Sequence, residues 1–245
     1  MTTISGHIVS GSTKVRKRLL SPKARRRAEE VAFSAATYYR ENGRAFPWRN
    51  TRDPFHLAVA EILLQKTRAE SIVGVYTSLV AEYPTARALS SASHVEVELR
   101  LRSLGLSRKR AGQLIGMARI VCEAGDEIFD DWRRLLADAP GLGAYAARAI
   151  ACFAKGEVIG IVDANVARIE RRVFRIAAHD PRARIFQRYA DKVALAAIDA
   201  RETNFGLLDL GALVCLPDPR CEACPLDRIC SKYGVNKRSK VSSRK

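Results

Sequence analysis

Apolar residues recur at three- and four-residue intervals along most of this chain, the mark of amphipathic helices. Residues 24–42 carry that period and stop at Asn42-Gly43, and Pro47-Trp48 makes a turn. Residues 54–67, PFHLAVAEILLQKT, begin with a proline suited to a first helical turn. They are apolar almost all round, which predicts a central, buried helix. The period continues over 69–82, 85–92, 94–103, 108–123, 131–138, 144–155, 164–177, 183–200 and 202–212, with breaks such as Tyr83-Pro84 and Gly105 between segments. No stretch alternates apolar and polar residues for long enough to build a sheet, and no repeat of fixed period occurs. The pattern predicts an all-α fold with a cysteine-rich loop appended near the end.

Composition changes the picture in two ways. With 245 residues, 47% of them apolar, the chain can bury a real core in one large or two small domains. It has no run of about 18 apolar residues, so no membrane span is expected. The basic N-terminus is not followed by an apolar segment, so it does not read as a secretory signal. The expected setting is a reducing cytoplasm, in association with the nucleoid, where cysteines stay as thiols or hold metal. The second change is charge: 42 Lys and Arg face 26 Asp and Glu, a net +16. That excess favours a polyanionic partner, nucleic acid above all. An anionic membrane surface is disfavoured, because no segment is a basic amphipathic helix with exposed Trp or Phe. Basic runs at Lys14–Arg27 and Lys237–Lys245 read as tails, over 1–27 and 236–245, that would bind any polyanion. The interior is basic as well.

Four cysteines stand within sixteen residues: Cys215, Cys221, Cys224 and Cys230, spaced C-x5-C-x2-C-x5-C. Thiolates gathered this tightly hold a metal or a metal cluster. Zinc sites are usually made from two CxxC-like knuckles set well apart, whereas here one CxxC is flanked by a cysteine at an equal gap on each side. That suits the corners of an iron–sulfur cluster better than a zinc ribbon; zinc is the alternative, and a pair of disulfides a third reading. Cys122 and Cys152 sit among apolar residues and read as buried thiols.

Two further stretches can carry chemistry. In LLADAPGLGAYAARAIACFAKG (135–156), two helices are joined by Pro140-Gly141-Leu142-Gly143. Glycines on either side of one apolar residue allow a tight hairpin with outward N–H groups, and the second helix adds its positive N-terminal end. This is a phosphate seat needing no charged side chain, although an ordinary helix–helix turn would look similar. In IVDANVARIERRVF (161–174), Asp163 stands just before a helix, where it reads first as an N-cap. Glu61 lies in the apolar run AVAEILLQ, where an ionised carboxylate is costly unless paired, so a salt bridge to an arginine is its plain reading.

The hairpin PGLGAY, the following VDANVARI and the cysteine loop together resemble the helix–hairpin–helix DNA glycosylases with an iron–sulfur cluster. That group includes endonuclease III, an adenine glycosylase acting opposite oxidised guanine, and an archaeal-type thymine glycosylase acting on T:G mismatches. The resemblance runs from about Phe46 to Tyr233 and includes FPWRNTRDPFHLAVAEILLQKT and LGALVC. It departs at the first cysteine gap, which is five residues here and six in the family, and at Lys66, where glutamine or arginine is common. It implies two lobes: a helical barrel with the hairpin over 53–157, and a cluster lobe made of 28–52 with 158–235, with the DNA cleft between Glu61 and Asp163. It implies a 4Fe-4S cluster on the four cysteines. Asp163 would stabilise the positive charge on the deoxyribose, Glu61 would meet the departing base, and Gln65 with Lys66, one turn further along the same helix, would probe the gap left by the flipped nucleotide. Pro140, Gly141 and Gly143 would bind the backbone. Tyr145 stands where endonuclease III has its nucleophilic lysine, which implies base removal without strand cleavage.

The adenine glycosylases usually carry GLGYY where this chain has SLGLSRKRAGQL (103–114), and a C-terminal reading domain where this chain ends soon after its cysteine loop. The expected substrate is therefore thymine or uracil opposite guanine in double-stranded DNA, bound by a monomer. An adenine glycosylase is the alternative. A non-catalytic iron–sulfur DNA-binding protein would keep the hairpin and cysteines without needing both Asp163 and Glu61.

Overall fold

The computed structural model describes residues 21–235. Ser21 opens the first helix, α1 (Pro22–Asn42): its hydroxyl accepts the Ala24 N–H at 3.3 Å, and Pro22 fills a first-turn position that needs no donor. A 3-10 turn at Pro47–Arg49 leads to α2 (Pro54–Leu64), capped by Asp53. Then come α3 (Ala69–Glu82), α4 (Ala86–Ser90), α5 (His94–Arg100) and α6 (Ser107–Ala124). The second half holds α7 (Trp132–Asp138), α8 (Ala144–Phe153), α9 (Ala164–Phe174), α10 (Arg184–Leu195) and α11 (Ala200–Leu213). Among the described residues there is no strand, as the all-α reading expects. None of their helices is long and apolar enough to cross a membrane.

Buried apolar side chains gather in two main clusters. The larger runs from Phe46 to Ile161 around the almost wholly buried α2, and takes Phe205 from α11. The second joins Ala28–Ala35 of α1 to Val166, Ile169 and Val173 of α9 and to Leu207, Leu210, Val214 and Leu226. Helix α11 serves both clusters, because Phe205 stacks on Phe153 with ring centroids 4.0 Å apart while Leu207 and Leu210 face α1 and α9. Its approach to α1 depends on Gly206, where a Cβ would come within 1.9 Å of the Ala35 carbonyl oxygen.

Helix ends differ from the periodicity, and the causes are tertiary or local polar contacts. The helix expected over 54–67 stops at Leu64: Gln65 is extended and Lys66 has φ +54°, so these two residues form a loop rather than a last helical turn. The segment 164–177 ends at Phe174, where Arg175 turns left-handed and the N–H groups of Arg175 and Ile176 both reach the Arg171 carbonyl. The segment 183–200 ends at Leu195, because Asp199 accepts the Glu202 N–H and starts α11 instead. Residues 22–27, expected in a basic tail, belong to α1; the rest of that tail, and 236–245, lie outside the described residues. Cys122 is exposed, not buried, in the last turn of α6, where Glu123 and Gly125 face solvent too.

The segment between α1 and α2 is tied to α11 by a buried carboxylate. Asp209, with no exposed surface, accepts two bonds from Arg49 (2.7 and 2.8 Å), one from Arg44 Nε (2.7 Å) and one from the Arg44 N–H (3.0 Å). Burial pushes the Asp209 carboxyl upward, but the two arginines outweigh it and hold it below its ordinary value. Its contribution is therefore present above the usual carboxylate range and lost as pH falls. Asp209→Ala leaves buried cationic charge uncompensated, and the expected loss is about 3–5 kcal/mol by urea denaturation at pH 7. Wild type and variant should converge in acid.

Candidate active site

Helix α2 presents Glu61 to a cleft between the two apolar clusters. The same cleft is lined by Tyr145 from the first turn of α8, by Asp163 and Asn165 at the start of α9, and by Arg44, Trp48, Arg49 and Arg68. Its volume is about 1040 Å³. The residues singled out as Glu61, Tyr145 and Asp163 are thus brought together, although they come from three helices and span a hundred positions.

Their environments differ. Glu61 is 8% exposed, with no arginine paired to it among the described residues, so the plain salt-bridge reading fails. Burial alone pushes its carboxyl up to about 8, which leaves it protonated at neutral pH. Asp163 is partly exposed and does cap α9, accepting the Val166 N–H at 2.7 Å on one oxygen. Its other oxygen accepts from Asn165 Nδ2 at 3.0 Å, so the carboxylate is fixed in orientation while it lines the cleft. The Tyr145 hydroxyl is held well above its ordinary value by burial, then by the nearby charges of Glu61 and Asp163, with Arg49 opposing. It stays a neutral donor and acceptor.

The hairpin lies beside the cleft. Gly141 has φ +83°, so the backbone calls for glycine; a Cβ there would also displace the flexible end of the Gln113 side chain, 2.7 Å away at Nε2. Pro140 packs on Gly116 of α6, and Leu142 is buried as the anchor of the turn. Gly143 caps α8 from an extended conformation and offers no side chain to its first turn, so the leading N–H groups of α8 have no capping partner. A smaller pocket joins this hairpin to the centre: Glu61, Leu64, Gln65, Gly141, Gly143, Tyr145 and Ala146 line it. Gln65 donates its side-chain amide to the Gly141 carbonyl, while Lys66 is exposed next to it.

The four cysteines line one small pocket with Arg172, Arg220 and Lys232. Cys215 Sγ receives Arg172 Nη1 at 3.2 Å, and Cys230 Sγ receives the Lys232 N–H at 3.3 Å. No three of the described His, Cys, Asp and Glu side chains converge as a site for a single ion. Four soft sulfur donors on the wall of a shared pocket, with N–H donors aimed at two of them, form a set suited to an iron–sulfur cluster.

Sequence reasoning missed the support of this site. Asn165 Oδ1 accepts from Arg168 at 2.7 Å, and Arg168 goes on to the carbonyls of Cys215 (2.6 Å) and Gly211 (2.8 Å). Arg172 holds the carbonyls of Leu216 (2.6 Å) and Pro217 (2.9 Å). One face of α9 therefore runs from Asp163 to the cysteine loop. Asp209 was missed although it stands in the apolar run GLLDLGALVC, the same signal that picked out Glu61.

The profile of the HhH-GPD superfamily base excision DNA repair protein matches residues 59–205. A thymine/uracil-DNA glycosylase of Methanothermobacter thermautotrophicus is 31% identical over 205 residues, which are 80% of this chain and 90% of that protein. An adenine DNA glycosylase of Mycobacterium tuberculosis is 34% identical over 196 residues, covering 78% of this chain and 64% of that protein. The solved structure of a thermostable thymine-DNA glycosylase superposes with a TM-score of 0.79 at 30% identity, covering 85% of this chain and 97% of that one. With its profile match spanning both Glu61 and Asp163, and relatives aligned over most of its length, this chain belongs to the HhH-GPD superfamily of base excision DNA repair proteins.

Proposed function

We propose that this DNA glycosylase removes thymine or uracil mispaired with guanine from double-stranded DNA, acts as a monomer, and leaves an abasic site without cutting the strand. The observation that carries the reading is the convergence of Glu61, Tyr145 and Asp163 on one cleft beside a glycine hairpin. The choice of base rests on the likeness to the thymine and thymine/uracil glycosylases. Adenine is the second reading, supported by the comparable identity to an adenine DNA glycosylase.

The N-glycosidic bond is out of reach inside the stack, so the target nucleotide must flip into the cleft. A mispaired pyrimidine is cheaper to extrude than a Watson–Crick paired one, which supplies part of the selectivity. The N–H groups at Gly141, Gly143 and the start of α8, which no side chain caps, seat a backbone phosphate, with Pro140 shaping the turn. The loop of Gln65 and Lys66 faces the space the nucleotide vacates. Protonated Glu61 then gives its proton to the departing base while Asp163 stabilises the oxocarbenium-like sugar by its charge; a water adds to the sugar C1′ to give the abasic site, and the proton it releases restores Glu61. Tyr145 closes the pocket with a neutral hydroxyl and cannot form a Schiff base.

Cys215, Cys221, Cys224 and Cys230 would hold a 4Fe-4S cluster, zinc being the alternative. When bound, the cluster supplies a rigid tie across the loop. The chain's own Arg220, Arg228 and Lys232 then carry positive charge towards DNA.

The deciding experiment is a duplex panel of T:G, U:G, A:G and A opposite oxidised guanine, each followed by alkali to reveal abasic sites. Cleavage of T:G and U:G strands after alkali alone is expected. Strand breaks without alkali, with a borohydride-trapped adduct, would overturn the monofunctional reading. Asp163→Asn should bind T:G DNA normally and lose several orders of magnitude in single-turnover excision; the cap survives, because the amide oxygen still accepts the Val166 N–H. The active form of Glu61 is the protonated one, so kcat/KM should be level from neutrality to about pH 8 and fall about tenfold per unit above it. Glu61→Gln should lower the plateau and abolish that alkaline limb. A rate that rises through pH 8 would instead make Glu61 a base. Purified protein should be brown with about four irons per chain, and Cys221→Ser should lose colour and solubility together. A colourless wild type with one zinc would refute the cluster and leave the catalytic reading intact.

A further inference from the structure

Arg110 of α6 is among the most buried large side chains of the molecule, 2% exposed, and no carboxylate faces it among the described residues. Its guanidinium joins two loops that are distant in sequence. Nη1 donates to the carbonyls of Leu104 (2.8 Å) and Gly105 (2.6 Å), in the turn before α6. Nη2 donates to the carbonyl of Gln65 (2.5 Å) and to the hydroxyl of Thr67, in the loop after α2. A buried guanidinium is costly unless its donors are satisfied, and a core contact between two helices needs no such group. Three of the acceptors are neutral carbonyls and the fourth is a hydroxyl, so Nη1 and Nη2 are satisfied without a counter-charge, while Nε has no hydrogen-bond partner among the described residues.

The two loops share a further feature. Each carries a non-glycine residue in the left-handed region: Lys66 at φ +54° and Leu106 at φ +51°. Both are exposed, Leu106 by 57% although it is apolar. Left-handed backbone in such residues is unfavourable and persists where surrounding bonds impose it. Arg110 supplies bonds immediately beside both. The Gln65 loop also edges the pocket of Glu61 and Tyr145 and donates to Gly141 of the hairpin. A duplex seated on that hairpin with one nucleotide in the cleft would meet both loops at the vacated position.

We propose that Arg110 is a positioning residue for nucleotide extrusion, clamping the Gln65–Thr67 loop and the Leu104–Leu106 turn side by side so that Lys66 and Leu106 enter the duplex together. The inference rests on the glycosylase reading but not on which base is removed. Filling the gap matters for a paired target and not for an unpaired one, and this separates positioning from folding.

The test measures single-turnover excision of the base that wild type removes, once from duplex and once from single-stranded DNA. It also follows the fluorescence of a 2-aminopurine next to the target on binding. Arg110→Lys should lose about tenfold or more on duplex, the worth of one or two hydrogen bonds, and change little on single strands. The 2-aminopurine signal should fall with it. Thr67→Val, which removes one acceptor and leaves Arg110 in place, should show a smaller loss of the same kind, and keeps the test open if Arg110→Lys unfolds. Gln65→Ala with Arg110→Lys should be less than additive, because both act through one loop. Equal losses on duplex and single strand, or no loss on duplex, would overturn the proposal. Excision of adenine rather than thymine would overturn the substrate reading while leaving this comparison valid.

Discussion

The geometry of the cleft depends on a single buried carboxylate. Asp209 sits inside the protein with four hydrogen bonds from two arginines, and Arg49 is packed over the Phe205 ring at 4.6 Å and the Phe46 ring at 5.3 Å. A lone ionised group in that position would be untenable, and a protonated one would leave Arg49 uncompensated. Held as a set, these groups fix the segment 44–49 against α11. Phe46 stacks on Trp48, and Trp48 meets Tyr76 edge-on, so the order extends into the larger core. Helix α2 starts five residues after Arg49. The position of Glu61 relative to α9 and α11 is therefore set by a salt bridge far from Glu61 in sequence.

Helix α9 is the second joint. Its first residue is capped by Asp163, and its next two turns carry Arg168 and Arg172, whose guanidinium groups take up the carbonyls that follow α11. The Asp163 carboxylate, Asn165, Arg168 and the Cys215 carbonyl form one chain of hydrogen bonds. A capping aspartate and a cleft carboxylate thus prove to be the same group. What fastens the cysteine loop also orients the carboxylate, and in the proposed reaction the loop's tie matters for placing Asp163 as well as for holding DNA.

Much of this was legible in the amino-acid sequence, because helical period and glycine placement are local signals. The hairpin at 140–143, the isolated Glu61 and the cap at Asp163 all stand where those signals put them. What was not legible came from long-range partners. The loop at Gln65 and Lys66 reads as helix, since nothing nearby forbids it; the carbonyl that would continue the turn is taken by Arg110, forty-five positions away. The end of α10 at Leu195 was missed for a different reason: Asp199 caps a helix in competition with the one before it, and period alone cannot rank the two. Arg110 and Asp209 were passed over as ordinary charges in mixed or apolar runs, and their burial is set only by the packed fold.

Glu61 and Asp163 form a physical pairing across the cleft. Glu61 lies in an apolar wall with no donor aimed at it among the described residues, and its proton is retained up to about pH 8. Asp163 sits at a helix start with N–H donors on both oxygens. A reaction that expels a base and leaves a cationic sugar needs a proton delivered on one side of the breaking bond and negative charge held on the other. Two like side chains can fill those opposite roles only if their surroundings differ in this way. Changing either would weaken the asymmetry: a donor near Glu61 would favour its ionised form, and loss of Asn165 would leave Asp163 held by the Val166 N–H alone. In the proposed reaction the division of roles rests less on the identity of the two acids than on the apolar run around one and the helix beginning at the other.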